Sequence, residues 1–463
     1  MLKTQGEVLV ESLGAAETVT GSKHLLRTPE LSVLIDCGLF QGHKELTQRN
    51  WAQPPVNLAE IDVMVLTHAH LDHCGYIPLL VKQGFKGKIY MSPPTKELAQ
   101  MILLDSAKIQ EEDAEKANIG KYSSHTPALP LYTVEDAQKS FESFVTINHN
   151  VITKLSNNIS FQFIRNGHIL GSCFVDMDCF GKKIVFSGDI GRFNTGFLAD
   201  PEFIEAADFL FLESTYGDRL HDKEDPSIPL GKDVAATFAR GGNVLIPAFA
   251  VGRAQEVMKI LSELEEAGTI PAGTPIYLDS PMAAKATDIL SRFKDWHIIS
   301  DDMIERMHKN VIVTRDFNQT HTIIADKHSK IVIASSGMLT GGRVLEYLKY
   351  YGPNAKNTIL LMGYQGEGTT GRDLEDGKKE AKVHGQWITV NAQILQISGL
   401  SAHGDQGEMM RWLNGFKTKP QKIFLIHGEE GSMEVFKQKI ETDMHIDVQI
   451  MPPAEPVQLF KLN

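Results

Sequence analysis

The 463 residues include 46 Lys+Arg and 58 Asp+Glu, a formal charge of −12, with 42% hydrophobic and 22% charged residues. That balance belongs to a folded globular protein and excludes a disordered tail; the acidic surplus argues against a broad nonspecific coat on DNA while leaving room for a local basic cleft. No apolar run approaches the roughly 18–20 residues of a membrane span, residues 1–14 lack the apolar stretch of a signal peptide, and four cysteines without a CxxC pair point to a reducing, cytoplasmic setting.

In chain order, short β-type runs come first: EVLVESL (7–13), LSVLID (31–36), IDVMVLTHA (61–69), ISFQFIRN (159–166), KKIVFSGD (182–189) and DFLFLES (208–214). Alternating with helical patterns, they predict an α/β chain. A different texture follows. Strand 243–249 runs into helix 251–264, strand 275–280 precedes helix 282–293, and strand 330–337 precedes helix 341–351, with a strand at 357–363. This strand-then-helix repetition predicts a parallel sheet flanked by helices. From about 386 strand-rich text returns, ending in KIFLIHGE (422–429) and DVQIM (447–451). The expected organisation is one domain in two pieces, 1–214 and 386–463, with a second domain, 215–385, inserted between them.

The chemistry begins at Thr67-His68-Ala69-His70-Leu71-Asp72-His73, after the apolar run VMVLT. In an extended segment alternate residues share a face, so His68 and His70 point the same way. The chain then turns, and Asp72 and His73 reach a second position. Imidazoles and a carboxylate are ligands that zinc accepts, and four of them within six positions predict a metal site.

This HxHxDH run resembles the signature of the metallo-β-lactamase superfamily, and the rest of the chain is similar to it. The resemblance implies an αββα sandwich and assigns further residues. His68, His70 and His168 (in RNGHILGS) would hold one zinc. Asp72, His73 and a further histidine would hold a second, with Asp189 (in FSGD) bridging and manganese as an alternative metal. Asp36, closing SVLID, is expected to orient a ligand histidine.

Phe211–Gly217 (FLESTYG), Gly399–Asp405 (GLSAHGD) and Ile426–Glu429 (IHGE) resemble the three motifs of the β-CASP branch, whose members process nucleic acids. The insert, with IPAFAVGRAQE (246–256), LDSPMA (278–283) and SSGMLTGGR (335–343), is similar to the β-CASP domain. A histidine in the third motif, here His427, resembles the RNA-acting members, the pre-mRNA 3′-end cleavage nuclease and RNase J among them. His427 thereby completes the second zinc set. The implied activity is zinc-dependent hydrolysis of RNA phosphodiesters by a two-metal hydroxide mechanism. In it Asp72 counts among the catalytic groups as well as the ligands. His403 is the general acid, and Glu213 holds it and favours its protonated form.

Substrate phosphate is expected at the Gly-rich turn that closes strand 330–337 and opens a helix. Ser335 and Ser336 bring hydroxyls, Gly337, Gly341 and Gly342 allow close backbone approach, and Arg343, Arg253 and Arg372 bring charge. The expected partner is single-stranded RNA in a cleft between the domains, with no membrane; a homodimer is compatible with the sequence. The competing readings are a DNA-acting β-CASP nuclease, a hydrolase of a thioester, lactone or β-lactam on the same core, and a non-catalytic partner subunit. The last would be expected to carry degenerate ligands.

Overall fold

Strands with apolar residues on both faces demand cover on both sides, and the chain supplies it in two separate units. The computed structural model describes Thr4 and residues 6–54, 56–121 and 125–462. One unit comprises Met1–Thr195, Asp200–Leu220 and His403–Asn463; the other comprises Gly196–Ala199 and His221–Ala402.

The first unit holds two seven-stranded sheets. One runs in the order Pro456–Lys461, Glu7–Gly14, Lys23–Arg27, Ser32–Ile35, Val63–Val65, Lys88–Met91, Phe144–Thr146. The other runs Asp447–Ile450, Lys422–Ile426, Phe209–Glu213, Lys182–Phe186, Cys173–Cys179, Ile159–Arg165, Thr153–Lys154. Their inner faces meet through aromatic rings. Phe186, Phe211 and Phe424 stack in a row at 4.5 and 4.9 Å, Phe209 stacks on Phe460 of the facing sheet, and Tyr90 meets Phe161 edge-on. Side chains alternate along a strand, so the neighbours of Phe211, Leu210 and Leu212, face outward. They pack with Met409, Trp412, Met433 and Phe436 from helices Gln406–Asn414 and Glu430–Met444. On the other side, helices Ile77–Lys82 and Pro93–Gly120 both pack against Val134–Ser140. This is the αββα sandwich expected from the resemblance.

The second unit is built on a six-stranded sheet, parallel throughout, in the order Val311–Val313, Ile276–Asp279, Ile331–Ala334, Val244–Pro247, Thr358–Met362, Gln393–Ile397. Its central strands VLIP, IVIA and TILLM are buried at every position, as a sheet covered on both faces requires. A hairpin, Glu380–Val383 with Gln386–Thr389, stands apart from the sheet and closes over the cluster around Tyr347, Leu348 and Tyr351.

Candidate metal centre

Strands Ser32–Ile35 and Val63–Val65 are parallel, as are Lys182–Phe186, Phe209–Glu213 and Lys422–Ile426. Their carboxyl ends therefore open onto common sheet edges, where α/β proteins place their sites. Asp36 directly follows Ser32–Ile35. His68 and His70 follow Val63–Val65, and Asp72 and His73 sit in the short helix Leu71–Cys74. His168 follows Ile159–Arg165, Asp189 follows Lys182–Phe186, Glu213 ends its strand, and His427 follows Lys422–Ile426. Asp36 and His427 adopt left-handed backbone angles, φ 60° and 50°, which bend the chain sharply as it leaves each strand.

The side chains form two groups that share one carboxylate. In the first, His70 Nδ1 lies 3.2 Å from His68 Nε2 and 3.1 Å from His168 Nε2, and both Nε2 atoms lie 3.4 Å from Asp189 Oδ2. In the second, His73 Nε2 lies 3.2 Å from His427 Nε2 and 3.8 Å from Asp72 Oδ2, and His427 Nε2 lies 3.4 Å from Asp72 Oδ2. Asp189 turns its other oxygen, Oδ1, to this group, 3.2 Å from His73 Nε2. Among His68, His70, His168 and Asp189, and among Asp72, His73 and His427, one donor atom per residue lies within 4.8 Å of the others, as it does among Asp189, Glu213 and His403.

The donor chemistry fits metal ions. Asp36 Oδ2 accepts from His73 Nδ1 at 2.7 Å, so the proton of a neutral His73 is on Nδ1 and its Nε2 carries a lone pair. That lone pair then faces His427 Nε2 and Asp189 Oδ1, a contact relieved by a metal ion or, in its absence, by a second proton on His73: burial opposes that charge, but Asp189, Asp36 and Asp72 outweigh it and hold the ring well above the usual histidine range. Among the described residues the buried Asp189 Oδ1 takes part in no hydrogen bond. Burial, with the neighbouring His73, pushes His68 down to about 3, and burial brings His70 to about 4 and His168 well below the usual histidine range. Asp72 is half-buried and Asp189 fully buried, yet the surrounding histidines hold both below the usual carboxylate range. Neutral imidazoles and ionised carboxylates are the forms that ligate a metal.

Glu213 and His403 sit beside this cluster. The Glu213 side chain is 0% exposed and that of His403 16%. Glu213 Oε1 accepts from the Ile190 backbone N–H at 2.5 Å, Oε2 accepts from the Thr215 hydroxyl at 2.6 Å, and both oxygens lie 3.2 Å from His403 Nδ1. His403 Nε2 lies 3.9 Å from Asp189 Oδ2. Burial opposes a charge on His403, but Glu213 and Asp189 outweigh it and raise the ring to about 9.

Two supports come from backbone and threonines. Ser22, Cys37 and Leu39 donate backbone N–H bonds to the carbonyls of Asp72, His73 and Leu71, bracing the ligand helix. Gly38 stands so close that an added Cβ would lie 1.5 Å from the Asp72 carbonyl oxygen. Asp36 accepts from the Thr67 N–H and hydroxyl, both at 2.8 Å, besides His73. Thr67 and Thr215 stand inside the motifs read from the sequence, one beside His68 and one two residues after Glu213, but spacing alone gave their hydroxyls no role.

The residues expected to meet phosphate lie in the second unit. Ser335 Oγ lies 3.1 Å from Ser280 Oγ, and Ser336 Oγ accepts from the N–H groups of Thr340 and Gly341 at 3.0 and 3.3 Å. Gly337 packs on Phe249. Arg343 pairs with the buried Asp279, which also accepts from Thr314, Thr320 and Tyr347. Arg253 is buried and pairs with Glu256, and Arg372 pairs with Asp376 at 3.1 Å.

Comparison with known proteins agrees with this geometry. Residues 25–207 match a metallo-β-lactamase superfamily domain, 254–374 a Beta-Casp domain, and 387–452 a Zn-dependent metallo-hydrolase RNA specificity domain. The chain is 32% identical to a ribonuclease of Thermus thermophilus, over 90% of this chain and 92% of that protein. It is 32% identical to an RNase J-like protein of Methanocaldococcus jannaschii (96% and 100%) and 32% identical to a transcription termination factor of the same organism (95% and 71%). A crystal structure of a protein of unknown function from Enterococcus faecalis shares the fold, with a TM-score of 0.54 and 13% identity over 98% of this chain and 100% of that one. With these three domain matches in order along the chain and relatives 32% identical over nearly the whole of both chains, the chain belongs to the β-CASP branch of the metallo-β-lactamase superfamily.

Proposed function

We propose that the protein is a zinc-dependent ribonuclease that hydrolyses phosphodiester bonds of single-stranded RNA. The observation that carries this reading is the pair of converging ligand groups, with Asp189 turning one oxygen to each, and a carboxylate-held histidine at their edge. His68, His70 and His168 would hold one zinc, Asp72, His73 and His427 a second, and Asp189 would face both. Bound there, two zinc ions would supply Lewis acidity at a phosphoryl oxygen and a water acidified near neutral pH.

The protein's own residues do the rest. Glu213 fixes the His403 ring through Nδ1, leaving Nε2 to donate a proton to the departing ribose oxygen. Glu213, which is not assigned to either zinc, favours the protonated ring. The buried Ile190 N–H and Thr215 hydroxyl hold Glu213 in place. Ser335, Ser336, Gly337, Arg343 and Arg253 are the proposed contacts to substrate phosphate. RNA is favoured over DNA because His427 occupies the third motif, because 387–452 match an RNA specificity domain, and because a relative of nearly the same length is a ribonuclease.

The test is an assay on RNA labelled at either end, with single-stranded DNA of the same sequence, a thioester and a β-lactam alongside. Single-stranded RNA is expected to be cut far faster than the others. Equal rates on RNA and DNA overturn the RNA assignment alone; turnover of the thioester with RNA left intact overturns the nuclease.

A further inference from the structure

A hydroxyl has one proton to give and two lone pairs to offer, and two buried threonines at the metal centre have committed theirs in the same pattern. Thr67 Oγ1 lies 2.8 Å from Asp36 Oδ2 and 3.1 Å from His68 Nδ1. Thr215 Oγ1 lies 2.6 Å from Glu213 Oε2 and 3.2 Å from His427 Nδ1. A carboxylate accepts and does not donate, so each hydroxyl proton goes to the carboxylate. The contact with histidine is then made the other way round, with Nδ1–H donating to the threonine oxygen. That leaves Nε2 of both rings without a proton. His68 Nε2 is the atom turned to His70 and Asp189, and His427 Nε2 the atom turned to His73 and Asp72.

We infer that Thr67 and Thr215 are positioning residues that set the tautomers of His68 and His427, so that Nε2 of each ring is the atom presented to a metal. Each buried carboxylate thereby governs two imidazoles, one directly and one through a threonine. Asp36 holds His73 by a 2.7 Å bond and His68 through Thr67; Glu213 holds His403 directly and His427 through Thr215. The Asp36 relay links a ligand of one group to a ligand of the other. The Glu213 relay links the proton donor to a ligand. Both threonines are buried, Thr67 1% and Thr215 5% exposed, so water is a poor substitute for either hydroxyl. Valine there would keep the shape and remove the acceptor, freeing the ring proton to move to Nε2 and block it.

The inference rests on reading the cluster as a two-metal centre, and the experiment separates the two ideas. The full chain with Thr67→Val, Thr67→Ser, Thr215→Val or Thr215→Ser is stripped of metal and titrated with zinc against a chromophoric chelator. Long-range 1H–15N spectra of histidine-labelled wild type read the tautomers. Each valine variant is expected to weaken one of two zinc sites by about 10–100-fold, the usual effect of removing a group that orients a ligand, and each serine variant to restore it. His68 and His427 of the wild type are expected to carry Nδ1–H. Wild type that takes up no zinc overturns the metal reading and the relay with it. Wild type that binds two ions while both valine variants bind them equally well overturns the relay alone. If a valine variant fails to fold, the wild-type spectra still decide, because Nε2–H on either ring overturns the assignment.

Discussion

His403 and His73 are both histidines of the cluster, but their contacts assign them opposite duties. His403 is anchored by Glu213 and partly open to solvent; His73 is buried, with Asp36 on one nitrogen and Asp189 and His427 on the other. His403→Ala is expected to keep two zinc ions and lose activity by roughly 10²–10⁴, the contribution of a positioned acid, while His73→Ala loses one ion along with its activity. Glu213→Ala should follow His403→Ala more mildly. An RNA with sulfur in place of the departing ribose oxygen, made as both the 3′-thio and the 5′-thio linkage, needs little protonation at that atom; one of the two should return much of the rate to His403→Ala and neither to His73→Ala, and zinc analysis beside the assays checks it. If His403→Ala sheds zinc, or neither thio linkage gives rescue, the ring is a ligand or a substrate contact instead. The histidines and carboxylates of this site were legible because ligand-type residues crowd into short motifs at strand ends. The threonines were not, since a hydroxyl's meaning depends on two partners that only folding brings together: Asp36 is 31 residues from Thr67, and His427 is 212 from Thr215.

Segments without chemistry of their own hold the centre in shape, and the turn after Ser32–Ile35 shows how tightly. Gly38 lies against the carbonyl of Asp72 with no room for a methyl group. Gly38→Ala must push the Leu71–Cys74 helix away, which is expected to cost about 1–3 kcal/mol, the usual cost of overpacking. It should also weaken the zinc bound by Asp72 and His73 more than the one bound by His68, His70 and His168. Thermal melting and stepwise zinc titration check both halves; equal loss at both sites would mean that the turn supports the whole centre. At this scale the sequence was informative where strands are long and continuously apolar, as at Phe209–Glu213 and Lys422–Ile426. It was silent on Lys23–Arg27, Lys88–Met91 and Phe144–Thr146, which are short or carry charges, and whose place in the sheet comes from pairing with neighbours. Pro93–Gly120 was equally quiet, because its buried stripe is narrow and partly made of small residues, among them Thr95, Ala99, Ala107 and Ala117.

Across the molecule, the two ligand groups draw on strands from both sheets and on both sequence pieces of the first unit, from His68 to His427. On the proposed reading, zinc binding is therefore coupled to the folding of that whole unit. Chelation is expected to lower the melting temperature. Restoring zinc to 100 times its dissociation constant should return about 2.7 kcal/mol per site. A melting temperature indifferent to chelator would show that the cluster contributes nothing to stability and would argue against metal there. The same spacing has a consequence in time. His427 lies 354 positions after His73, its partner in the second group. At a synthesis rate of about 5–20 residues per second, a ribosome reaches it roughly 18–70 s later. Once Asp189 has been made, a nascent chain carries His68, His70, His168 and Asp189, the whole of the first group, but His403 follows only 214 positions later (403 − 189) and His427 238 positions later (427 − 189). On the proposed reading, a chain still under synthesis is unable to cut RNA until His403 and His427 have been added, and the centre is completed only when Lys422–Ile426, the strand that His427 follows, has joined its sheet.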